Sequence, residues 1–218
     1  SFWYKSDDGR FAGRQKVLFS IGEGSAGTDY YYFYVTSSGT FQVLASANGG
    51  GGFYLSTNQN LASGPIDWHH VAFVVTGGGG SNTTIQPYVN GVAASVLTII
   101  AINNTNHAAF NADQGLYIAG TVDNLLTDEV FTSSSILWND LIDDFCLHSS
   151  ALDADNIAAI YNSGTPINLL ANSGNYDTSG DVVLYYKFNG EAGPNGTGID
   201  SHGTSNGTGG QFSNESAS

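Results

Sequence analysis

Two histidines stand side by side in the stretch Trp68-His69-His70-Val71, which runs on through a β-branched segment to four glycines. Imidazoles ligate metals and carry protons near neutral pH, so an adjacent pair invites a metal or proton-transfer reading. Strand geometry answers it. Successive side chains of an extended strand point to opposite faces. His70 therefore shares a face with Trp68, Ala72 and Val74, and His69 with Val71, Phe73 and Val75. From within one strand they cannot chelate a single ion. We read His70 as a packed imidazole hydrogen-bonded to backbone, and Asn90-Gly91 as the two-residue turn of a hairpin.

Carboxylates come next. A retaining glycosidase needs two carboxyl groups about 5–5.5 Å apart across the sugar. The four glutamates, Glu23, Glu129, Glu191 and Glu215, are far apart in the chain. Asp140, Asp143 and Asp144 form the densest acidic cluster, but Asp143 and Asp144 are neighbours and would face opposite sides of a strand. His107, His148 and His202 are isolated. Cys146 sits inside an apolar run and reads as a small buried hydrophobe. No nucleophile elbow, zinc spacing or P-loop is present, so we expect no enzyme.

Aromatic rings offer a third kind of chemistry. In the run 29–34, Asp-Tyr-Tyr-Tyr-Phe-Tyr, Tyr30, Tyr32 and Tyr34 share one face, and Tyr31 and Phe33 share the other. One face must be core. The other could be a sugar platform, a subunit contact or a layer under a loop; cross-strand aromatic pairs stabilise sheets without any ligand.

The elements that position these groups follow from composition and pattern. The chain has 218 residues, 41% of them hydrophobic, with 29 glycines, which suits one all-β domain of short strands and many turns. Candidate strands are 16–22, 30–36, 40–46, 52–56, 68–76, 84–90, 93–101, 115–120, 141–149 and 181–189. One short amphipathic surface helix is expected near 153–163. Asp153 is its N-cap, Leu152 and Ile157 form a hydrophobic staple, and Gly164 ends it. We divide the chain into a sandwich over 1–170, a returning strand over 171–189, and a Gly/Ser/Asn-rich tail over 190–218. The opening Ser1-Phe2-Trp3-Tyr4 already reads as a strand, so we expect the chain to be part of a larger one or a homo-oligomer.

A net charge of -14 lacks the basic footprint that nucleic acid requires, and no segment has the apolar length for membrane insertion. A lone cysteine excludes an intrachain disulfide and suits folding in a reducing cytosol before release.

Three motifs, in order, then form a recognisable set. They are Phe2-Trp3-Tyr4-Lys5, the Trp68-x-His70-Val71-Ala72 strand with Tyr88-Val89-Asn90-Gly91, and Ile142-Asp143-Asp144-Phe145 running into Leu152 through Tyr161-Asn162-Ser163-Gly164. Over residues 2–166 this resembles the laminin-G-like, concanavalin A-like lectin/glucanase superfamily. The resemblance implies an antiparallel jelly-roll β-sandwich. It also implies calcium as a candidate cofactor, with Asp29, Asp140 and Asp143 as candidate ligands among scattered aspartates (Asp7, Asp8, Asp113, Asp123 and Asp128 being others). The glucanases of that family carry E-x-D-x-E on one strand, and this chain has no such motif. The segment from Val182 through Asp200-Ser201-His202-Gly203 is similar to one that borders such modules in tailed-bacteriophage virion proteins. We therefore expect a structural or adhesion module, located in a virion or extracellularly, whose partners are structural subunits or cell-surface glycans. A free lectin is the alternative.

Overall fold

The computed structural model describes residues 1–5, 16–22, 30–36, 39–47, 51–60, 67–76, 84–102, 115–118, 141–188, 192–193, 197–198 and 200–203. Among them the first twelve strands are β1 (Phe2–Lys5), β2 (Lys16–Gly22), β3 (Tyr30–Val35), β4 (Thr40–Ala47), β5 (Gly51–Asn60), β6 (His69–Thr76), β7 (Thr84–Val89), β8 (Val92–Ala93), β9 (Val96–Ile102), β10 (Gly115–Ile118), β11 (Leu141–Asp143) and β12 (Phe145–His148). Helix α1 (Ala154–Tyr161) and strands β13 (Val182–Tyr186), β14 (Ala192–Gly193) and β15 (Thr197–Gly198) follow.

Every pairing is antiparallel. One sheet runs β11-β1-β6-β7-β8, a second runs β10-β2-β3-β4-β5-β9, and β12 pairs with β13. The period-2 pattern explains the layering. Phe2, Tyr4, Val71, Phe73, Ile85 and Val89 point from the first sheet into a shared core, where Phe19, Tyr31, Phe33, Phe41 and Val43 meet them from the second. Phe33 stacks on Phe19 at 4.1 Å between centroids and lies 4.7 Å from Phe73. A register shift between Val17 and Phe19 marks a bulge that lets both Leu18 and Phe19 reach this core.

The alternate residues of the first sheet, Trp3, His70, Ala72, Val74 and Tyr88, face the other way. There they meet a second apolar cluster built on Leu152, Ile157, Ile160, Leu169 and Tyr176. The helix is thus a cover on the sandwich. Asp153 caps it, its carboxylate accepting from the Asn156 backbone N–H at 2.8 Å. Leu152 and Ile157 are buried in the same cluster, as a staple requires. Asn162, not Gly164, is the left-handed C-cap, and Ser163 and Gly164 continue with positive φ. The helix sits close over the β7–β8 turn: a Cβ on Gly91 would lie 3.0 Å from the Tyr161 ring and 3.3 Å from the Ala158 Cα. Asn90 and Gly91 both have positive φ, as a two-residue hairpin demands.

Two expected strands are broken. The run 93–101 is divided between β8 in one sheet and β9 in the other, with the chain crossing over at Ala94–Ser95. The run 141–149 is interrupted at Asp144, whose φ is 48°, so β11 pairs with β1 while β12 turns away to β13.

Candidate functional site

The chemistry-bearing side chains of the described residues gather beside the outer face of the first sheet. His70 lies there, 1% exposed, with Trp3 5.4 Å and Tyr161 6.4 Å from its ring. Its backbone is held at both ends by Asn90, whose side-chain oxygen accepts the His70 N–H at 3.0 Å and whose own N–H donates to the His70 carbonyl at 2.8 Å. The expected ring hydrogen bond to backbone is not made: among the described residues neither ring nitrogen has a partner. Packing between aromatic rings, rather than hydrogen bonding, fixes the imidazole. Burial pushes its pKa down to about 3, so it is neutral. His69 is half-buried at the strand end, its Nδ1 3.4 Å from the Asn90 amide nitrogen.

A narrow cleft opens beside His70, lined by Trp3, Asp144, Ile160, Ile167 and Leu169. It holds about 200 Å³ of empty space, mouth included, and at no point admits a water molecule. That rules it out as a sugar pocket.

The carboxylates are braces. Asp143 is 1% exposed and its carboxylate accepts the Asp144 N–H at 3.0 Å, which supports the positive φ at Asp144. Asp144 accepts the Tyr185 hydroxyl at 2.6 Å. Burial raises the Asp144 carboxyl above the usual range, and the Tyr185 hydrogen bond and Lys187 oppose it. Asp200 accepts two backbone N–H groups, from Tyr185 at 2.9 Å and His202 at 3.0 Å, and so ties its own turn to β13.

Cys146 is fully buried, and burial pushes its thiol up to about 12. A thiol held protonated is no nucleophile. Its sulfur lies 3.8 Å from His148 Nδ1, and His148 Nε2 lies 3.1 Å from the Tyr176 hydroxyl. That hydroxyl donates to the Leu169 carbonyl at 2.8 Å. With the phenol proton committed, His148 Nε2 carries a proton and donates to the phenol oxygen, leaving Nδ1 to face the thiol. Burial lowers the His148 pKa to about 4.

The residues singled out from the sequence do not converge. Tyr30 lies on β3, and Tyr32 and Tyr34 are 1% and 2% exposed. Both faces of β3 are covered, so those two rings lack the open face on which a sugar stacks. Asp29 and Asp140 lie outside the described residues, as do Asp7, Asp8, Asp113, Asp123, Asp128 and all four glutamates. Of the candidate calcium ligands only Asp143 is described, and its carboxylate already serves the Asp144 backbone. Among the described residues no three His, Cys, Asp or Glu side chains cluster as a metal site would. The Asp144–Tyr185 and His148–Tyr176 pairs were not foreseen. Their partners lie 41 and 28 residues apart, and the one signal was a second aspartate where an alternating strand wants an apolar residue.

A family model described as concanavalin A-like lectin/glucanases superfamily matches residues 1–158. The chain belongs to that superfamily, of laminin-G-like type. Among solved structures it is similar to a heptameric SAP-like pentraxin from Limulus polyphemus, at 17% identity and a TM-score of 0.44, over 73% of this chain and 67% of that one. No curated protein matches.

Proposed function

We propose that this domain is a non-catalytic recognition module, a lectin-like sandwich that serves adhesion within a larger extracellular or virion assembly. The observation that carries the non-catalytic part is the use made of the buried acids among the described residues. Asp143, Asp144 and Asp200 are buried, and each holds backbone or a phenol rather than facing a substrate groove. Superfamily membership supports carbohydrate as the ligand class. The virion setting rests on the likeness of the 182–203 segment to phage module borders, and the structural subunits or cell-surface glycans named as partners go with it. Calcium enters as a candidate through Asp29 and Asp140, which lie outside the described residues.

A glycan array probed with and without calcium, with mass measurement in solution and a polysaccharide-hydrolysis assay alongside, tests this. We expect glycan retention or a defined oligomer, and no hydrolysis. Turnover of any glycan would overturn the reading. So would a monomer that retains no glycan in either condition.

A further inference from the structure

The cover on the outer face of the first sheet packs on two histidines that are built in as neutral groups, His70 on β6 of that sheet and His148 on β12 beside it. His70 lies beneath α1, between Trp3 and Tyr161, with no acceptor for either ring nitrogen among the described residues. A proton there would turn the remaining acceptor nitrogen into a second buried N–H donor and add one buried charge, neither with an answer. His148 reaches the cover at Tyr176, and its Nδ1 faces the Cys146 sulfur. Protonating that nitrogen exchanges an S–H···N contact for an N–H donor aimed at sulfur, a weak acceptor. The inter-sheet core on the other side is aliphatic and aromatic. We propose that the segment from Leu152 to Tyr176 is an acid-releasable cover, which opens from the five-stranded sheet when His70 and His148 take up protons while the inter-sheet core stays folded.

The groups that face these imidazoles decide how far this goes. Asp144 lines the same cleft as His70, with its carboxyl raised and already accepting from Tyr185, and the Tyr161 ring lies 6.4 Å from the imidazole. Around His148 stand Cys146 and Tyr176, both neutral, and Asp181, which favours protonation. The sign follows from the burial of both rings. Each folded pKa lies below the ordinary 6.5, so the opened form binds more protons as pH falls. Closure is fully supported above 6.5 and is lost progressively towards about 4 for His148 and about 3 for His70. Asp144 works against this, because its raised value favours the protonated, closed form.

The test is a pH titration of the 15N-labelled chain by NMR, reading the backbone amides of Ala154–Tyr161 and Tyr31–Val35 and the ring nitrogens of both histidines. We expect the helix amides to lose their native positions before those of β3. In the double variant His70→Phe with His148→Phe, which keeps ring volume and removes the proton sites, that loss should move down by about one pH unit or more. Should the double variant not fold, the imidazole signals of the unaltered chain decide: they must stay neutral until the helix amides change. Rings that titrate near 6.5 over an intact helix would overturn the proposal. So would simultaneous loss of helix and β3, or a helix transition that the double variant leaves in place.

Discussion

The two sides of the first sheet are packed on different principles. Towards the second sheet lie Phe2, Phe19, Phe33, Phe73 and Phe145, whose polar neighbours in the cluster are the tyrosines 4, 31 and 186. Towards the helix the apolar contacts of Ile157, Ile160 and Leu169 are interleaved with Cys146, Tyr176 and Tyr185, and beside them lie His70, His148, Asp144 and Asn156. The first side depends on area and shape, which are non-directional and indifferent to pH. The second depends on named donors and acceptors, where removing one partner strands the other. One sheet therefore separates a volume-sensitive core from a proton-sensitive one.

The largest effect belongs to the apolar side. Phe33 is 1% exposed, stacks on Phe19 and packs tilted against Phe73. Phe33→Ala removes both contacts and leaves a cavity, at a cost of about 3–5 kcal/mol. Urea unfolding should show that loss to be the same at pH 7 and pH 5. A loss that changed strongly between those pH values would break the distinction between the two sides.

That division was only half legible in the sequence. Alternation of apolar and polar residues is a local signal, so β2 falls on the expected 16–22 and α1 within the expected 153–163. The resemblance carried by Trp68-x-His70-Val71-Ala72 and Tyr88-Val89-Asn90-Gly91 led to the superfamily that the family comparison shows. The kink at Asp144 was only faintly legible: the second aspartate of Ile-Asp-Asp-Phe breaks the alternation, but nothing local announces a positive φ on a non-glycine residue. Nor was the burial of Tyr32 and Tyr34, since a face of tyrosines reads alike under a loop, under a partner or in water. Which carboxylate meets which phenol is a matter of long-range packing, and it escaped for the same reason.

An intermediate effect should come from the polar side. Tyr185→Phe keeps the ring and removes the hydroxyl that donates to Asp144 at 2.6 Å. The carboxylate is then buried without that donor, which costs about 1–3 kcal/mol. Here pH should matter. The hydrogen bond opposes the upward pull of burial on Asp144, so without it the carboxyl rises further. The folded form then favours the protonated acid more strongly than before. The difference from the parent chain is greatest at neutral pH and shrinks as pH falls and Asp144 is protonated in both. Urea unfolding at pH 7 and pH 4.5 reads the change, and an equal loss at both would make the contact one of packing rather than charge.

The smallest effect sits at the edge of the cover and separates hydrogen-bond geometry from charge. Asp153 is exposed, and its carboxylate accepts from the Asn156 backbone at 2.8 Å and the Asn156 amide at 2.9 Å. Those two bonds hold its carboxyl below the usual 3.8. The stabilisation is therefore present above 3.8 and is lost as pH falls through the folded value. Asn156 in turn accepts from the Asp177 N–H at 3.2 Å and the Thr178 hydroxyl at 3.1 Å, so the cap also steadies the turn beyond Tyr176. Asp153→Ala should lower stability modestly at pH 7, since water replaces part of what an exposed carboxylate supplies. Asp153→Asn should restore most of it, because asparagine caps about as well, and should remove the acid-side loss. Thermal unfolding of the three chains at pH 7 and pH 3.5 gives the comparison. If the asparagine variant matched alanine at pH 7, the helix start would be held by charge alone, and the cover would lean on electrostatics even where it meets water.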